Sequence, residues 1–409
     1  MLPDRFDPRY YEPEVLFRYH AGWAGLSHTR ASGATLIDRT GTLQEVGPNV
    51  PRIDWSRGVP ALLLEPQRTN LVPSPRLDTD SDGNGFPDGV LASAHADYTV
   101  TPLSMSDGTF TYRVERVADT GGWGGGIRIN IPGIVQGDVL SGGLDVLVTP
   151  GSTPLVGATW CFWEYVDDAT GQLVMIPAVR YPGDGQWHRL LAQNVTLANP
   201  VRANTFRLIV RSGGSSDPIG GSVTVSVRRP QMERGPTASS FVVGTRALEL
   251  AIAPLHISWQ EGLALYFRGF EAGSVALASE ATEVSVYGGD TNIRIRSLTQ
   301  GAGYSVRLVS GAAAATSGTL APPTIGQPIE HLLVLQPTGA FRLDQSIDGG
   351  PISSVSSAGV ALPRTAATTV QVNGLAGPVN TGMTMLRDLI VLRGAGWTMD
   401  QVRAYLPGW

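Results

Sequence analysis

Lysine is absent from the sequence. All 30 basic residues among its 409 are arginines, set against 35 aspartates and glutamates for a formal net charge of −5. An acidic chain without clustered cations argues against a general binder of nucleic-acid backbone, since that binding is carried by neutralised phosphates. Loss of lysine alone has no folding rationale and reads as coding bias. Cysteine is nearly absent too: Cys161 stands alone, which excludes an intrachain disulfide, a CxxC redox pair and a cysteine-rich zinc site. No apolar run reaches the length of a signal peptide or a membrane span, so the expectation is assembly in the cytoplasm without membrane insertion. Common catalytic signatures are missing as well: there is no HExxH, no GxSxG, no GxxxxGKS/T and no GxGxxG opening a helix after a strand. The six histidines are scattered, with no pair at i, i+4.

What the chain has in quantity is turn formers. Fifty glycines and 29 prolines make up about a fifth of it, while charged residues are 16% against roughly 25% in an average globular protein. That balance suits turn-rich β structure. Residues 1–70 mix aromatics, prolines and arginines, with alternation around Thr40-Gly41 that reads as a hairpin and a closing apolar run, Val59 to Leu64. So short a span buries little alone and reads as an attachment or docking segment. Residues 71–245 carry short alternating runs (FTYRVERV, DVLSGGLDVLV, FRLIVRS, SVTVSVRR) separated by Gly, Pro, Asp and Asn, at the spacing of a β-sandwich. Residues 246–409 repeat the style with LALYFRGF, NIRIRSL, YSVRLVS and HLLVLQ, predicting a second sandwich. Thr398 to Gln401 is a capping-box pattern ahead of Val402, Tyr405 and Leu406, which predicts a short closing helix over a sheet edge. The fold class expected is therefore all-β: an N-terminal attachment segment, two antiparallel sandwiches and a C-terminal helix.

Two features point to ligands. Asp78, Asp80, Asp82, Asn84 and Asp88 place oxygen ligands at alternate positions around Gly83, as a calcium loop does. Gly89 stands where an EF-hand has its bidentate glutamate, so Asp88 is the candidate to close the shell of a structural Ca2+, and a solvated acidic turn is the plain alternative. The second feature is aromatic density. Trp160, Phe162, Trp163 and Tyr165 fall in one strand-like run, followed by Tyr181 and Trp187. On a strand, Trp163 and Tyr165 share one face and Trp160 and Phe162 the other, so one face fills the core and the other offers a stacking platform for sugar rings. Trp160, Trp163, Tyr165, Tyr181 and Trp187 are the candidate carbohydrate-binding residues, with Trp123 and the region of Trp259 and Tyr287 as fallback sites. Glu164 with Asp167 or Asp168 is the carboxylate pair that glycoside hydrolysis would need, but no catalytic residues are assigned and no enzyme is expected.

Residues 30–71, RASGATLIDRTGTLQEVGPNVPRIDWSRGVPALLLEPQRTNL, resemble a segment of many tailed-phage virion proteins, from an Arg-Ala-Ser start through a hairpin to "PR.D" and "LLEPQRTNL". Residues 229–241, RPQMERGPTASSF, resemble the "QLE.G..ATSY" ending of galactose-binding-like jelly rolls in phage fibres, with Phe241 in place of tyrosine. The third section is similar, more loosely, to concanavalin-like or laminin-G-like sandwiches, through FRLDQSIDGG and the closing Leu386 to Leu392 strand with its helix. The resemblance implies a tail fibre, tail spike or head spike of a phage or gene-transfer-agent particle. Such a protein joins other virion proteins through its N-terminal segment, binds host surface polysaccharide and is a homo-oligomer, trimeric by analogy with fibres. A capsule depolymerase on the same architecture and a purely structural decoration protein are the rival readings.

Overall fold

The computed structural model describes residues 15–18, 27–235, 238–271, 281–297, 303–324, 326–372 and 384–404. They are nearly all β, with multiple antiparallel sheets and one short helix near the C-terminus. The chain forms two compact units, and one interrupts the other: residues 68–245 make an inserted unit, while residues 1–67 and 246–409 together make a split unit.

The inserted unit is a sandwich of two five-stranded antiparallel sheets. One runs Trp187–Thr196, Val139–Pro150, Ser222–Arg234, Thr109–Arg116, Tyr98–Ser106; the other runs Leu173–Tyr181, Thr159–Val166, Arg207–Ser212, Gly125–Asn130, Val90–Ala94. Period-2 alternation decides what lies between them: Tyr112 and Val114, Leu144 and Val146, Val225 and Val227 meet Ile127 and Ile129, Cys161 and Trp163, Leu208 and Val210 in one core. The QMERGPTASSF motif closes this unit through a buried polar cluster. Glu233 accepts the Ser239 amide (2.9 Å) and hydroxyl (2.6 Å), and the Gln231 side-chain amide donates to Glu233 and to the Ser239 and Ser240 carbonyls. Pro236 and Thr237 of that motif lie outside the described residues.

The split unit is also a sandwich. Its larger sheet runs Ser353–Ser357, Phe341–Ile347, Pro328–Leu335, Leu263–Glu271, Thr384–Arg393, Ala61–Leu64, Ile53–Asp54, with Val15–Arg18 also on Thr384–Arg393. The facing sheet runs Ser27–Thr29, Leu250–Ser258, Ala366–Val372, Ala281–Gly288, Thr291–Ser297, Tyr304–Ser310, Ala313–Thr316. The N-terminal residues are thus not a unit of their own, which corrects the reading of 1–70 as a separate segment. Leu62 and Leu64 sit fully buried in the same core as Trp259, Leu265, Ile293 and Val391, where each gains about 1.5–3 kcal/mol from leaving water. The hairpin about Gly41 forms, Ala34–Ile37 on Leu43–Val46, with Gly41 at φ +81°.

The charged residues of the 30–71 motif explain why it holds there. Arg30, Arg52, Glu65, Arg246 and Glu249 are all buried to within 1% and bonded together: Arg30 to Glu249 at 2.6 Å, Arg52 to Glu65 at 2.7 Å, Arg246 to Glu65 at 3.0 Å, and Arg52 to both oxygens of Glu249. Burial acts to lower the Arg52 pKa, but Glu65 and Glu249 outweigh it and raise it above the ordinary arginine value.

The helix Met399–Arg403 forms with its capping box intact, Thr398 and Gln401 bonding reciprocally. It covers the middle of the larger sheet's outer face, not an edge: Trp397, Met399 and Val402 pack on Tyr266, Leu332, Val334, Ile390 and Leu392. Tyr405 and Leu406 lie outside the described residues.

Candidate functional site

The strand Thr159–Val166 decides where an aromatic platform can be. Cys161, Trp163 and Tyr165 point between the sheets, Trp163 tilted against Phe206 and Tyr165 stacked on it, both at 6.2 Å. Trp163, Tyr165 and Tyr181 are 2–4% exposed and cannot stack on a sugar, so that part of the expected site is core. Burial is also what pushes the Cys161 thiol pKa far up, leaving it inert. Trp259 is fully buried, and Tyr287 donates its hydroxyl to Gln371 at 3.1 Å. Trp187 lies on the other sheet of the sandwich, so the five candidate aromatics are not brought together.

The outward face of that strand carries Trp160, Phe162 and Glu164. Its neighbour presents Arg211, Ile209 and Arg207 directly opposite them. Phe162 and Ile209 are buried without belonging to the core between the sheets. The Arg211 guanidinium lies 5.0 Å from the centre of the Phe162 ring and 4.8 Å from that of Trp123, within cation–π range of both. Burial lowers the Arg211 pKa, and Glu164 opposes that shift. Trp123 is 46% exposed and Trp160 is 37% exposed. The face therefore offers two accessible indole rings with a guanidinium between them.

Trp123 stands on the loop Asp119–Gly124, which is pinned. The buried carboxylate of Asp97 accepts the amides of Thr120 (2.9 Å) and Gly122 (2.6 Å) and the Thr120 hydroxyl, and these bonds hold its pKa below the usual carboxylate range. A side chain at Gly122 would meet His95 Nδ1 at 2.6 Å and Asp97 Oδ2 at 2.7 Å, so only glycine lets the loop close on that carboxylate. The His95 ring meets Trp123 edge-on at 6.2 Å. In sequence alone Gly122 to Gly126, GWGGG, reads as a bulged or flexible turn. The signal it carried was a large apolar residue in a segment with no strand period, which has no core face to occupy.

The aspartate-rich loop is satisfied internally. Asp80 accepts the Asn84 and Gly85 amides, Asp82 the Asn84 side chain at 2.9 Å, and Asp88 the Ser81 amide and hydroxyl at 2.9 and 2.8 Å. Among the described residues no three His, Cys, Asp or Glu side chains form a group that could hold a metal ion, and in the expected calcium loop of Asp78, Asp80, Asp82, Asn84 and Asp88 the hydrogen bonds run within the loop. The proposed carboxylate pair is likewise divided among other partners: Glu164 pairs with Arg207 at 3.1 Å, Asp168 with Arg202 at 3.1 Å, and Asp167 caps the turn at Ala169 and Thr170. A pocket of about 450 Å3 opens between the sheet ends beside Val148, Leu155, Val156, Tyr181 and Val223. Its walls are largely apolar, with Thr159 and Arg180 as exceptions.

No protein-family model and no curated protein matches the sequence. Among solved structures, the chain is similar to the N-terminal CBM22-1-CBM22-2 tandem domain of Paenibacillus barcinonensis Xyn10C, at 9% identity and a TM-score of 0.26, over 81% of this chain and 98% of that one. It is also similar to domains LG4-5 of the mouse laminin α1 chain, at 13% identity and a TM-score of 0.22, over 77% of this chain and 91% of that one. Likeness at these scores carries no argument about function.

Proposed function

We propose that the chain is a non-catalytic carbohydrate-binding protein, one that presents the Trp123–Arg211–Trp160 face of its inserted sandwich to the polysaccharide of a host surface. The observation that carries this reading is a pair of exposed indoles beside a half-buried guanidinium: Trp160 on the strand position opposite Arg211, and Trp123, which Arg211 overlies, on a loop that Asp97 immobilises. Exposed tryptophans on a rigid sheet lose little entropy on binding, and a sugar's axial C–H face packs on them as other apolar groups do. The separate engagement of Glu164, Asp167 and Asp168 supports binding without hydrolysis. The resemblance of residues 30–71 and 229–241 to virion segments supports a place on a phage or gene-transfer-agent particle, as a tail fibre, tail spike or head spike beside other virion proteins. A homo-oligomer, trimeric by analogy, suits that role, because multivalency raises avidity by about 10² to 10⁴ over weak single sites.

The test is to incubate the purified protein with host surface polysaccharide, and record the bound fraction and the polymer length in one sample. Binding at unchanged length is expected. Trp123→Ala and Trp160→Ala should each weaken it by roughly threefold to tenfold, matching about 0.5–1.5 kcal/mol per aromatic contact. Shortened polymer, or both variants binding as the wild type does, overturns the reading.

A further inference from the structure

The opposite sheet of the inserted sandwich carries a different arrangement on its outward face. Asp145, 2% exposed, accepts from three arginines: Arg189 at 2.9 Å, Arg228 at 3.1 Å, and Arg229 through two of its nitrogens. Arg189 and Arg228 flank Asp145 on the neighbouring strands in direct register. Arg229 reaches it through a bulge, since Arg229 and Pro230 together stand opposite Leu144 and Arg229 takes φ +52°. A non-glycine residue held in the left-handed region at a bulge is a conformation the surrounding fold must impose, and it re-aims a side chain that would otherwise point into the core. Among the described residues Asp145 is the one carboxylate within ion-pair distance of any of the three, so two positive charges stay uncompensated, in a chain whose net charge is −5.

The three guanidiniums are partly open, at 20–35% side-chain exposure. Trp187 lies under Arg228, the guanidinium 4.0 Å from the ring centroid. Along the same face Trp187 is followed across the sheet by Leu147, Ser226, Thr111 and Ser104, with Thr111 and Ser226 hydroxyls bonded at 2.9 Å. Charge, a stacked ring and a row of hydroxyls thus share one flat surface. A planar guanidinium takes an oxyanion in paired hydrogen bonds, and these three, unlike the fully buried arginines around Glu65 and Glu249, are open enough to meet one.

We propose that the Arg189–Arg228–Arg229 cluster with Trp187 is a second saccharide site, specific for sugars that carry an oxyanion, either a uronate carboxylate or a sulfate ester. It rests on reading the sandwich as a carbohydrate-binding module, and it narrows the ligand to an acidic polysaccharide.

The test measures binding of the full chain to four probes by calorimetry: an oligogalacturonate hexamer, a sulfated heparin hexasaccharide, neutral xylohexaose and hexaglutamate. Wild-type protein is expected to bind at least one anionic saccharide tenfold or more tighter than xylohexaose, with affinity that falls as salt rises from 50 to 500 mM. Galacturonate alone then assigns a carboxylate, and the sulfated sugar alone a sulfate. Arg189→Gln and Arg229→Gln should each lose tenfold or more on that probe, while Arg202→Gln, an exposed arginine paired with Asp168 outside both faces, leaves it unchanged; a thermal melt confirms that each variant is folded, since Asp145 keeps two partners in either. The inference is overturned if neither anionic sugar outbinds xylohexaose, if both folded arginine variants keep wild-type affinity, or if hexaglutamate binds as tightly as the anionic sugar. Loss of neutral-glycan binding with retention at the arginines would instead count against the Trp123 face alone.

Discussion

Glu249 is the residue on which the split unit's polar interior converges. Its two oxygens take Arg30 and Arg52, and the Glu65 amide donates to it at 3.0 Å. Two of those partners lie about 200 positions away in sequence, so the bonds close the chain across the whole insertion. A buried ion network adds little net stability over a well-packed apolar one, but removing one member strands its partners. Glu249→Gln is therefore expected to cost roughly 3–5 kcal/mol, read as a lower urea midpoint at unchanged slope. A loss below about 1 kcal/mol would mean that Arg30 and Arg52 find other acceptors. This network is also why residues 30–71 were legible as a motif but not for what they do locally: the arginines and Glu65 stand out in sequence, while Arg246 and Glu249 that complete them carry no local mark.

At the scale of single elements, alternation made the strands readable and left their orientation open. WCFWEYV shows two faces in any reading, yet which one meets the second sheet depends on strands far away in sequence. The buried face took Trp163 and Tyr165, and the open one kept Trp160. Trp123 was harder to see, because its loop is ordered by Asp97 some 25 residues earlier and not by a local pattern. The closing helix shows the opposite case. Its capping box is entirely local and was readable, whereas its place over the sheet centre depends on Tyr266, Leu332 and Ile390. With only the five residues Met399–Arg403 assigned to it, the helix relies on that packing and on its cap more than on propensity. Thr398→Ala should cost about 1 kcal/mol, measurable as a lower melting temperature, while Thr398→Ser should restore most of it. Equal loss in both variants would show that the hydroxyl is not the stabilising group.

For the whole molecule the insertion itself has consequences. The inserted unit begins and ends side by side: the Asn70 amide donates to the Gly244 carbonyl at 2.8 Å, and the Thr69 and Thr245 hydroxyls lie 3.0 Å apart. Asn70 fixes this junction with its side chain, donating to the Pro230 and Val242 carbonyls and accepting from the Val72 and Met232 amides. A unit whose ends already meet, and whose core is closed by its own two sheets, needs nothing outside residues 68–245 to fold. Expressed alone, that stretch is expected to unfold in one cooperative transition and to keep the saccharide affinities of the full chain at both of its faces. The reciprocal chain, residues 1–67 joined to 246–409 through a short glycine-serine linker, should also fold, because the buried network of Arg30, Arg52, Glu65, Arg246 and Glu249 lies wholly within it. If the excised sandwich populates only a molten state, with near-ultraviolet dichroism lost and apolar dye bound, its order must come from the rest of the chain, and the two units are one cooperative body.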